Sequence, residues 1–158
     1  MPERIVINTG PLVALARMGA LEVAGRLPFD FMCPREVWTE LEEGARRGHI
    51  PVAPGWLRVT ALEAPLSPVA VAALDAGEAA VIQLALDLAI SWVCMDEWKG
   101  RRAAASAGLK VVGALGLLGM AKTRGFIPAL RPYVDKAAAA GVRYDAELVR
   151  QVLTAAGE

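Results

Sequence analysis

The sequence predicts an α/β fold, a three-layer α/β/α sandwich with a central, mainly parallel sheet, formed as a single domain over residues 1–158. Short β-branched apolar runs alternate along the chain with longer segments of helical periodicity, an order typical of parallel sheets. The run at residues 91–95 lacks the alternation of a half-exposed strand, which predicts a strand covered on both faces. Because 55% of the residues are hydrophobic, the chain has enough apolar surface to bury a core of its own.

The first predicted unit is a strand at residues 4–8 followed by a helix. Pro11 suits the first turn of that helix, and Thr9 or Gly10 suits its cap. Gly19 is placed to end it, because glycine tolerates the left-handed conformation in which many helices terminate.

The second predicted unit is a strand at residues 29–33 and a helix at about 34–47. This helix places Val37 and Leu41 on one face and its glutamates on a neighbouring face. Residues 51–66 are interrupted by prolines and glycines, so they are expected to form an irregular connection with at most one edge strand.

The second half of the chain repeats the alternation. Ser67 and Pro68 start a helix, a longer helix runs from Glu78 to about residue 90, and the strand at 91–95 ends at Asp96. The remaining predicted elements are a helix at 97–107, a strand at 109–112 and helices at 113–124, 129–140 and 145–156.

Charge balance and cysteine content exclude several classes of protein. The 17 basic residues equal the 17 acidic ones, which excludes a nonspecific coat on nucleic acid and requires any such contact to be local. Cys33 and Cys94 are too few for a disulfide scaffold or a zinc site. Charged residues interrupt every long apolar stretch, and the N-terminus lacks the apolar region of a cleaved signal. These features predict a cytoplasmic protein that does not span a membrane.

Polar side chains at strand ends are the first candidates for a functional site. Asn8 and Asp96 end two predicted strands, and open parallel sheets bind ligands beyond the carboxyl ends of their strands. Glu78, which opens the long helix, and Glu40, near the end of the second helix, are expected to point into the same crevice. Carboxylate and amide oxygens are the ligands that Mg²⁺ and Mn²⁺ prefer. Such an ion activates water and neutralises charge on a phosphodiester.

Each candidate also has a structural explanation that the residues alone leave open. Asp96 and Glu97 suit the N-cap and first turn of the helix that follows them. Glu78 suits the first turn of its own helix, and Asn8 suits a turn before the first helix. Glu40 is one of four glutamates on one predicted helix, most of which must face solvent.

Basic residues gather on the helix after Asp96, where they suit contacts with phosphates at the same crevice. The group comprises Lys99, Arg101 and Arg102, with Lys122 and Arg124 one strand–helix unit later. A solvated basic face, or a pair between Glu97 and Arg101, explains these residues at least as well. Trp98 suits a stack on a base or, with Trp38, Trp56 and Leu118, a protein-binding surface.

Other catalytic schemes find no support. His49 is the only histidine and is expected to be exposed, so neither a zinc site nor a histidine acid–base pair can form. The glycines at 113, 116 and 119 lack the spacing of a dinucleotide fingerprint and suit close helix packing. The chain contains neither a phosphate-binding loop nor a nucleophile elbow.

Six segments carry a family resemblance that extends over nearly the whole chain. They are residues 5–19 (IVINTGPLVALARMG), 33–40 (CPREVWTE), 77–82 (GEAAVI), 95–102 (MDEWKGRR), 112–118 (VGALGLL) and 121–128 (AKTRGFIP). In this order and spacing the chain resembles the PIN domains, and within them a prokaryotic branch of PIN-like proteins.

This resemblance implies an acidic pocket that binds Mg²⁺ or Mn²⁺ and hydrolyses single-stranded RNA. Many such proteins are toxins of toxin–antitoxin pairs and form homodimers, which implies an antitoxin and a second copy as partners. By position, the ion-binding side chains correspond to Asn8, Glu40, Glu78 and Asp96, with Glu97 adjacent. Contacts with nucleic acid are expected from Thr9, Lys99, Arg101 and Arg102.

Asn8 departs from the family pattern, because PIN enzymes usually have their first aspartate there. The amide keeps a carbonyl oxygen but loses a formal charge, which weakens a magnesium site. Two functions therefore remain open. One is a metal-dependent endoribonuclease in which Glu40, Glu78 and Asp96 are catalytic, and the other is a PIN-like module that binds nucleic acid or protein with little or no catalysis.

Overall fold

A computed structural model describes residues 2–158 of the chain. Its strands are β1 (Glu3–Ile7), β2 (Phe29–Pro34), β3 (Arg58–Thr60), β4 (Trp92–Cys94) and β5 (Lys110–Val112). All neighbouring strands are parallel, in the order β3-β2-β1-β4-β5. Helices flank this sheet, which confirms the predicted α/β/α sandwich.

The helices include every one that the sequence predicts. Within residues 2–158 they are α1 (Thr9–Arg17), α2 (Leu21–Gly25), α3 (Arg35–Arg46), α4 (Pro68–Ala73), α5 (Ala76–Asp87), α6 (Trp98–Ser106), α7 (Ala114–Thr123), α8 (Arg131–Ala139) and α9 (Ala146–Ala155). None of these is both long and apolar enough to cross a bilayer.

The chain reverses direction across the sheet at β1, which lies at its centre. It runs from β1 outward to β2 and β3, and then returns through α4 and α5 to β4 on the other side of β1. Ile7 lies opposite Cys94, and Cys94 lies opposite Val112, so β1, β4 and β5 end at the same level. A crevice beyond such a switch point is where open parallel sheets bind ligands.

Apolar side chains of β1 form the centre of the core. Ile5, Val6 and Ile7 are fully buried, because helices cover both faces of the central strand. The edge strand β3 lies inside the irregular segment 51–66, as predicted. It is short, with an exposed or half-buried residue at each position, as suits the edge of a sheet.

One helix was not predicted, and two others begin earlier than predicted. The short helix α2 was not predicted, since Gly19, with φ of 68°, ends α1 and the chain enters a new helix two residues later. Helix α1 begins at Thr9 rather than near Pro11, with Asn8 as its N-cap residue. Helix α5 begins at Ala76, two residues before Glu78.

The side-chain carboxylate of Glu158, after helix α9, contacts residues of two other helices. The carboxylate of Glu158 accepts hydrogen bonds from the backbone N–H groups of Leu130, at 2.7 Å, and Arg131, at 3.1 Å. It also pairs with Lys122 Nζ at 3.0 Å, and these contacts lower the pKa of Glu158 to about 2. Helix α9 is thereby joined to the start of α8 and the last turn of α7.

Candidate acidic metal centre

Asn8 and Asp96 follow the carboxyl ends of two adjacent strands, β1 and β4. The Asn8 N–H donates to the carbonyl oxygen of Cys94 at 3.0 Å, which extends the β1–β4 ladder by one residue. The Met95 N–H donates to Val112 at 2.9 Å and does the same for β4 and β5. The sequence expectation that these two polar residues lie at the same edge of the sheet is confirmed.

Asp96 caps a helix other than the one that follows it. Its Oδ1 accepts a hydrogen bond from the Ala114 N–H at 2.8 Å, at the start of α7. The residue that precedes α6 is Glu97, whose side chain makes no cap hydrogen bond. The structural explanation of Asp96 as the cap of its own helix is therefore wrong, because the carboxylate turns across the crevice to the next strand–helix unit.

The carboxylate of Asp96 is held in a partly buried site. Burial raises its pKa, against the lowering effect of the Ala114 N–H and of the nearby Arg101 guanidinium. Tyr144 also faces this carboxylate, but its buried hydroxyl has no partner of good hydrogen-bond geometry within residues 2–158. A Cβ atom at Gly113 would lie 2.8 Å from Asp96 Oδ1, so glycine at this position leaves room for the carboxylate.

Glu78 combines a capping role with an unused oxygen. Its Oε1 accepts from the Asp75 N–H at 3.2 Å, and Asp75 Oδ1 accepts from the Glu78 N–H at 2.7 Å, which is a capping box. The predicted first-turn role is thus confirmed. Its Oε2, however, is buried without a hydrogen-bond partner in the described chain. Burial raises the pKa of Glu78, and the negative charges of Asp75 and Glu97 raise it further.

Glu40 reaches the same region from α3. Its Oε2 accepts a hydrogen bond from the Thr9 hydroxyl at 2.7 Å. A Cβ atom at Gly77 would lie only 2.2 Å from Glu40 Oε1, so the carboxylate rests against the first turn of α5. Burial raises the pKa of Glu40, the Thr9 hydrogen bond lowers it, and the charge of Asp75 raises it again.

Asn8 is buried, and its side-chain oxygen is unused. The residue is 8% exposed, and its Oδ1 has no hydrogen-bond partner among residues 2–158. Its side chain makes no cap hydrogen bond to α1, so the turn-ordering explanation is wrong. A buried oxygen without a partner is costly to retain, which makes a functional role the better explanation.

These side chains suit a hard divalent ion in chemistry and in burial. All of them offer oxygen, and Asn8 Oδ1 and Glu78 Oε2 are buried without partners in the described part of the chain. A positive charge nearby would stabilise the ionised carboxylates, whose pKa values burial raises. Thr9, Asp75 and Ala114 each donate a hydrogen bond to one of the three carboxylates, and no three acidic, thiol or imidazole groups within residues 2–158 form one ion-sized cluster. Ion binding therefore requires the carboxylates to turn toward one another.

Comparison with known proteins assigns the chain to a family. A family model described as a PIN domain matches residues 4–158. The chain belongs to the PIN domain family. No curated protein is similar enough to the chain to be matched. PIN domains are in general metal-dependent nucleases, so membership places this chain among proteins that act on nucleic acid.

The basic residues of the PIN domain divide into two groups. Lys99 and Arg102 are exposed on α6, whereas Arg101 is half buried and donates to the carbonyl oxygen of Met95 at 2.7 Å. Arg101 and Glu97 do not come within ion-pair distance in the described chain, so the alternative of a pair between them is wrong. Arg101 instead faces the carboxylate of Asp96 and lowers its pKa.

The expectation that Lys122 and Arg124 flank the acidic crevice is wrong. Lys122 is paired with Glu158, as described above. Arg124 lines a cavity of about 710 Å³ together with Glu3 and Trp92, which start two strands. Helix α7 starts at the carboxyl edge and is ten residues long, about 15 Å, so its last turn lies at the amino edge of the sheet.

Asp75 belongs to the acidic centre but was not a sequence candidate. It lies two residues after the end of α4, and the Ala76-Gly77 pair after it looks like a break between helices. Its charge acts on both Glu40 and Glu78. The signal that identifies it is the capping-box spacing, an aspartate followed three residues later by a glutamate.

The proposed apolar surface of the PIN domain is not formed. Leu118 is fully buried, and Trp38 and Trp56 pack against the core. Trp98 alone of that set is exposed, at 71%. His49 is exposed as expected, at the rim of a cavity of about 270 Å³ that Thr9 also lines.

Proposed function

We propose that this PIN domain is a Mg²⁺- or Mn²⁺-dependent endoribonuclease that hydrolyses single-stranded RNA. Asn8, Glu40, Glu78 and Asp96 hold the ion, and Glu97 is a further ligand at the same edge. The observation that carries the proposal is that Asn8 Oδ1 and Glu78 Oε2 are buried without hydrogen-bond partners in the described chain. In the same region burial raises the pKa of Glu40, Glu78 and Asp96, so a bound cation would stabilise their ionised forms.

The catalytic residues in this proposal are Glu40, Glu78 and Asp96. A bound Mg²⁺ or Mn²⁺ supplies positive charge that lowers the pKa of water and neutralises charge on a phosphodiester. Each carboxylate is oriented by a donor of the chain: a hydroxyl for Glu40, and backbone N–H groups for Glu78 and Asp96. These donors hold the carboxylates near one edge of the sheet, and binding of the ion turns them toward one another.

Cations on α6 complete the proposed site. Lys99 and Arg102 are exposed and suit the phosphates on either side of the cleaved bond, while Arg101 lies closer to Asp96. The hydroxyl of Thr9 donates to Glu40, so Thr9 acts on RNA indirectly, by orienting that carboxylate. Hydrolysis adds the oxygen of water to phosphorus and breaks one P–O bond of the RNA backbone. One product then ends in a phosphate and the other in a hydroxyl group.

We place this activity in a single domain that acts in the cytoplasm, where the buried thiols of Cys33 and Cys94 stay reduced. The resemblance to toxin–antitoxin nucleases supports a toxin that works as a homodimer and is restrained by a cognate antitoxin. Neither partner is needed for the chemistry described above.

A second function is favoured by Asn8. Because an amide replaces the first acid, the site has one negative charge fewer with which to attract an ion. A PIN domain that binds RNA or a protein partner without cutting is the alternative that this residue supports. It requires RNA binding that neither EDTA nor the loss of Asp96 changes.

The two functions are separated by cleavage of a labelled single-stranded RNA with Mn²⁺, measured for the wild type and Asp96→Ala, each also with EDTA. The proposal predicts internal cuts by the wild type alone, and only with Mn²⁺. Lys136→Ala serves as the matched surface control, since Lys136 is exposed and lies on α8. Equal cutting by the wild type and Asp96→Ala, or cutting that persists in EDTA, would assign the activity to a contaminant.

A further inference from the structure

We propose that Trp98 is a stacking platform for one unpaired base of the RNA strand whose backbone the acidic centre holds. This inference rests on the proposed function, because it names the part of the nucleic acid that the same site recognises. Trp98 is the first residue of α6 and is 71% exposed. An indole exposed to this extent loses favourable burial, which is unusual for a side chain of its size.

The position of Trp98 relative to the acids is fixed by the first turn of α6. Gly100, two residues later, lies against the acidic centre, because a Cβ atom there would be 2.8 Å from Glu78 Oε2. Glu97, one residue earlier, acts on the same carboxylate through its charge. Trp98 lies between these two residues in the sequence and about 3 Å along the helix axis from Gly100, but two residues turn a helix by about 200°, so Trp98 and Gly100 lie on opposite sides of α6. A strand whose phosphate lies at the acids therefore reaches the indole by passing over the N-terminal end of α6.

Arg102 holds the ring in place. Its Cζ lies 5.1 Å from the centroid of the Trp98 ring, one helical turn later in the chain. The guanidinium lies over one face of the indole, and the ring as a whole stays largely exposed to a base. Pre-ordering of the ring by this contact reduces the entropy lost on binding.

The surroundings of Trp98 favour nucleic acid over a protein partner. The exposed neighbours on α6 are the cations Lys99 and Arg102, and no other large exposed apolar side chain of the described chain lies on this helix. Protein interfaces have an apolar centre from which charged residues are depleted. Proteins that bind single-stranded nucleic acid instead combine positive charges, which contact the backbone, with aromatic rings on which bases stack.

The test measures binding with Ca²⁺, an ion that oxygen ligands also bind, in place of Mg²⁺ or Mn²⁺, and gel analysis of the recovered oligomer verifies that it stays uncut. The probes are a labelled oligoadenylate of about 12 nucleotides and an abasic oligomer of the same length, which has the same phosphates without bases. The variants are Trp98→Ala and Trp98→Phe. Trp92→Phe is the matched control, because Trp92 also lies under a cation, Lys110 Nζ at 5.5 Å, but at the amino edge of the sheet.

Stacking predicts that Trp98→Ala raises the Kd for oligoadenylate roughly 5- to 150-fold and leaves the Kd for the abasic oligomer unchanged. Trp98→Phe retains most of the affinity, and Trp92→Phe retains all of it. Equal loss for both oligomers, no loss for either, or no binding of oligoadenylate by the wild type would each overturn the proposal.

Two further readouts separate the remaining explanations. Sedimentation without oligomer that changes from dimer to monomer in Trp98→Ala would assign the ring to an interface between copies and overturn the proposal. The thermal unfolding midpoint of Trp98→Ala is expected to equal that of the wild type, because the ring is exposed and its cation contact is with Arg102, on the surface of the same helix. Metal-dependent cleavage by the wild type is scored separately, so failure of the stacking test and failure of the nuclease proposal give different results.

Discussion

Asp96 and Ala114 are joined by a hydrogen bond of 2.8 Å across eighteen residues of chain, and this bond links the end of β4 to the start of α7. The carboxylate closes a helix N-terminus and at the same time stands at the switch point of the sheet. One oxygen of Asp96 therefore stabilises the fold through its hydrogen bond to Ala114, whereas the negative charge of the carboxylate is available to bind an ion. Variants can separate the two contributions.

Asp96→Asn is expected to retain the fold and lose the activity. Asparagine keeps a side-chain oxygen for the Ala114 N–H and is a good capping residue, so the free energy of unfolding changes little. The rate of RNA cleavage falls roughly 10- to 100-fold or more, since loss of a residue that only supports a metal ligand already has an effect of that size. Asp96→Ala loses the activity and also about 1 kcal/mol of stability. Urea unfolding and cleavage rates, measured on both variants, check this; retained activity in Asp96→Asn would show that the charge is dispensable.

Gly77→Ala is expected to impair the site without weakening the protein. The new Cβ atom would meet Glu40 Oε1 at 2.2 Å, and the flexible carboxylate must move away from the centre. Cleavage falls roughly 10- to 100-fold, whereas helix propensity gains up to about 1 kcal/mol. Gly119→Ala, also in a helix and with open space around its Cβ position, makes the same helix gain and keeps full activity. Equal activity in the two variants would show that the position of Glu40 is unimportant.

Asn8→Asp tests the departure from the family pattern. The added charge is buried, so the metal-free variant should unfold at a lower temperature than the wild type. With Mn²⁺ the variant gains more stability than the wild type, because a further carboxylate attracts the ion more strongly. An ion at 100 times its Kd adds about 2.7 kcal/mol, which raises the unfolding midpoint of a domain of this size by roughly 5–10 °C. Calorimetry at matched Mn²⁺ concentrations should show the larger rise in Asn8→Asp, and an equal rise in both proteins would place the ion elsewhere.

The pH dependence follows from the raised carboxyl pKa values. Burial raises the pKa of Glu40, Glu78 and Asp96 in the folded state, so ion binding and cleavage are lost as pH falls through values above the ordinary carboxyl range of about 4. For the metal-free protein the sign is opposite: the folded state binds more protons, and its stability falls as pH rises through the same window.

Glu78→Gln isolates this effect. Glutamine keeps an acceptor for the Asp75 N–H and removes the charge that Asp75 and Glu97 oppose. Without metal, the variant should be more stable than the wild type at neutral pH, and the difference should disappear below about pH 4. Thermal unfolding across this range checks it. A wild type that is the more stable protein at neutral pH would contradict the assignment of a buried, uncompensated charge to Glu78.

The strand ends and the acids on them could be predicted from the sequence, because both follow from local patterns. Residues 4–8 and 91–95 are apolar runs bounded by one polar residue each, and in a parallel sheet such ends meet at one edge. Asp75 and α2 could not be predicted as readily, since the glycines around them look like breaks. Gly77 lies inside a helix instead, where it makes room for Glu40.

The directions in which individual side chains point could not be predicted from the sequence. The turn of Asp96 toward Ala114, rather than toward its own helix, depends on the strand order, which brings the start of α7 beside β4. Lys122 and Arg124 were misplaced for a related reason, because a helix of ten residues carries its last turn to the opposite edge of the sheet. Burial of Leu118 likewise depends on which face of α7 meets the core.

The central claim is that Asn8, Glu40, Glu78 and Asp96 form one site for a divalent ion. Electron paramagnetic resonance of free Mn²⁺, titrated with the wild type and with Glu78→Gln, measures this directly. We expect saturable binding of Mn²⁺ by the wild type, competition by Mg²⁺, and a Kd for Mn²⁺ that is raised about tenfold or more in Glu78→Gln. Absence of binding by the wild type, or equal binding by the two proteins, would contradict it.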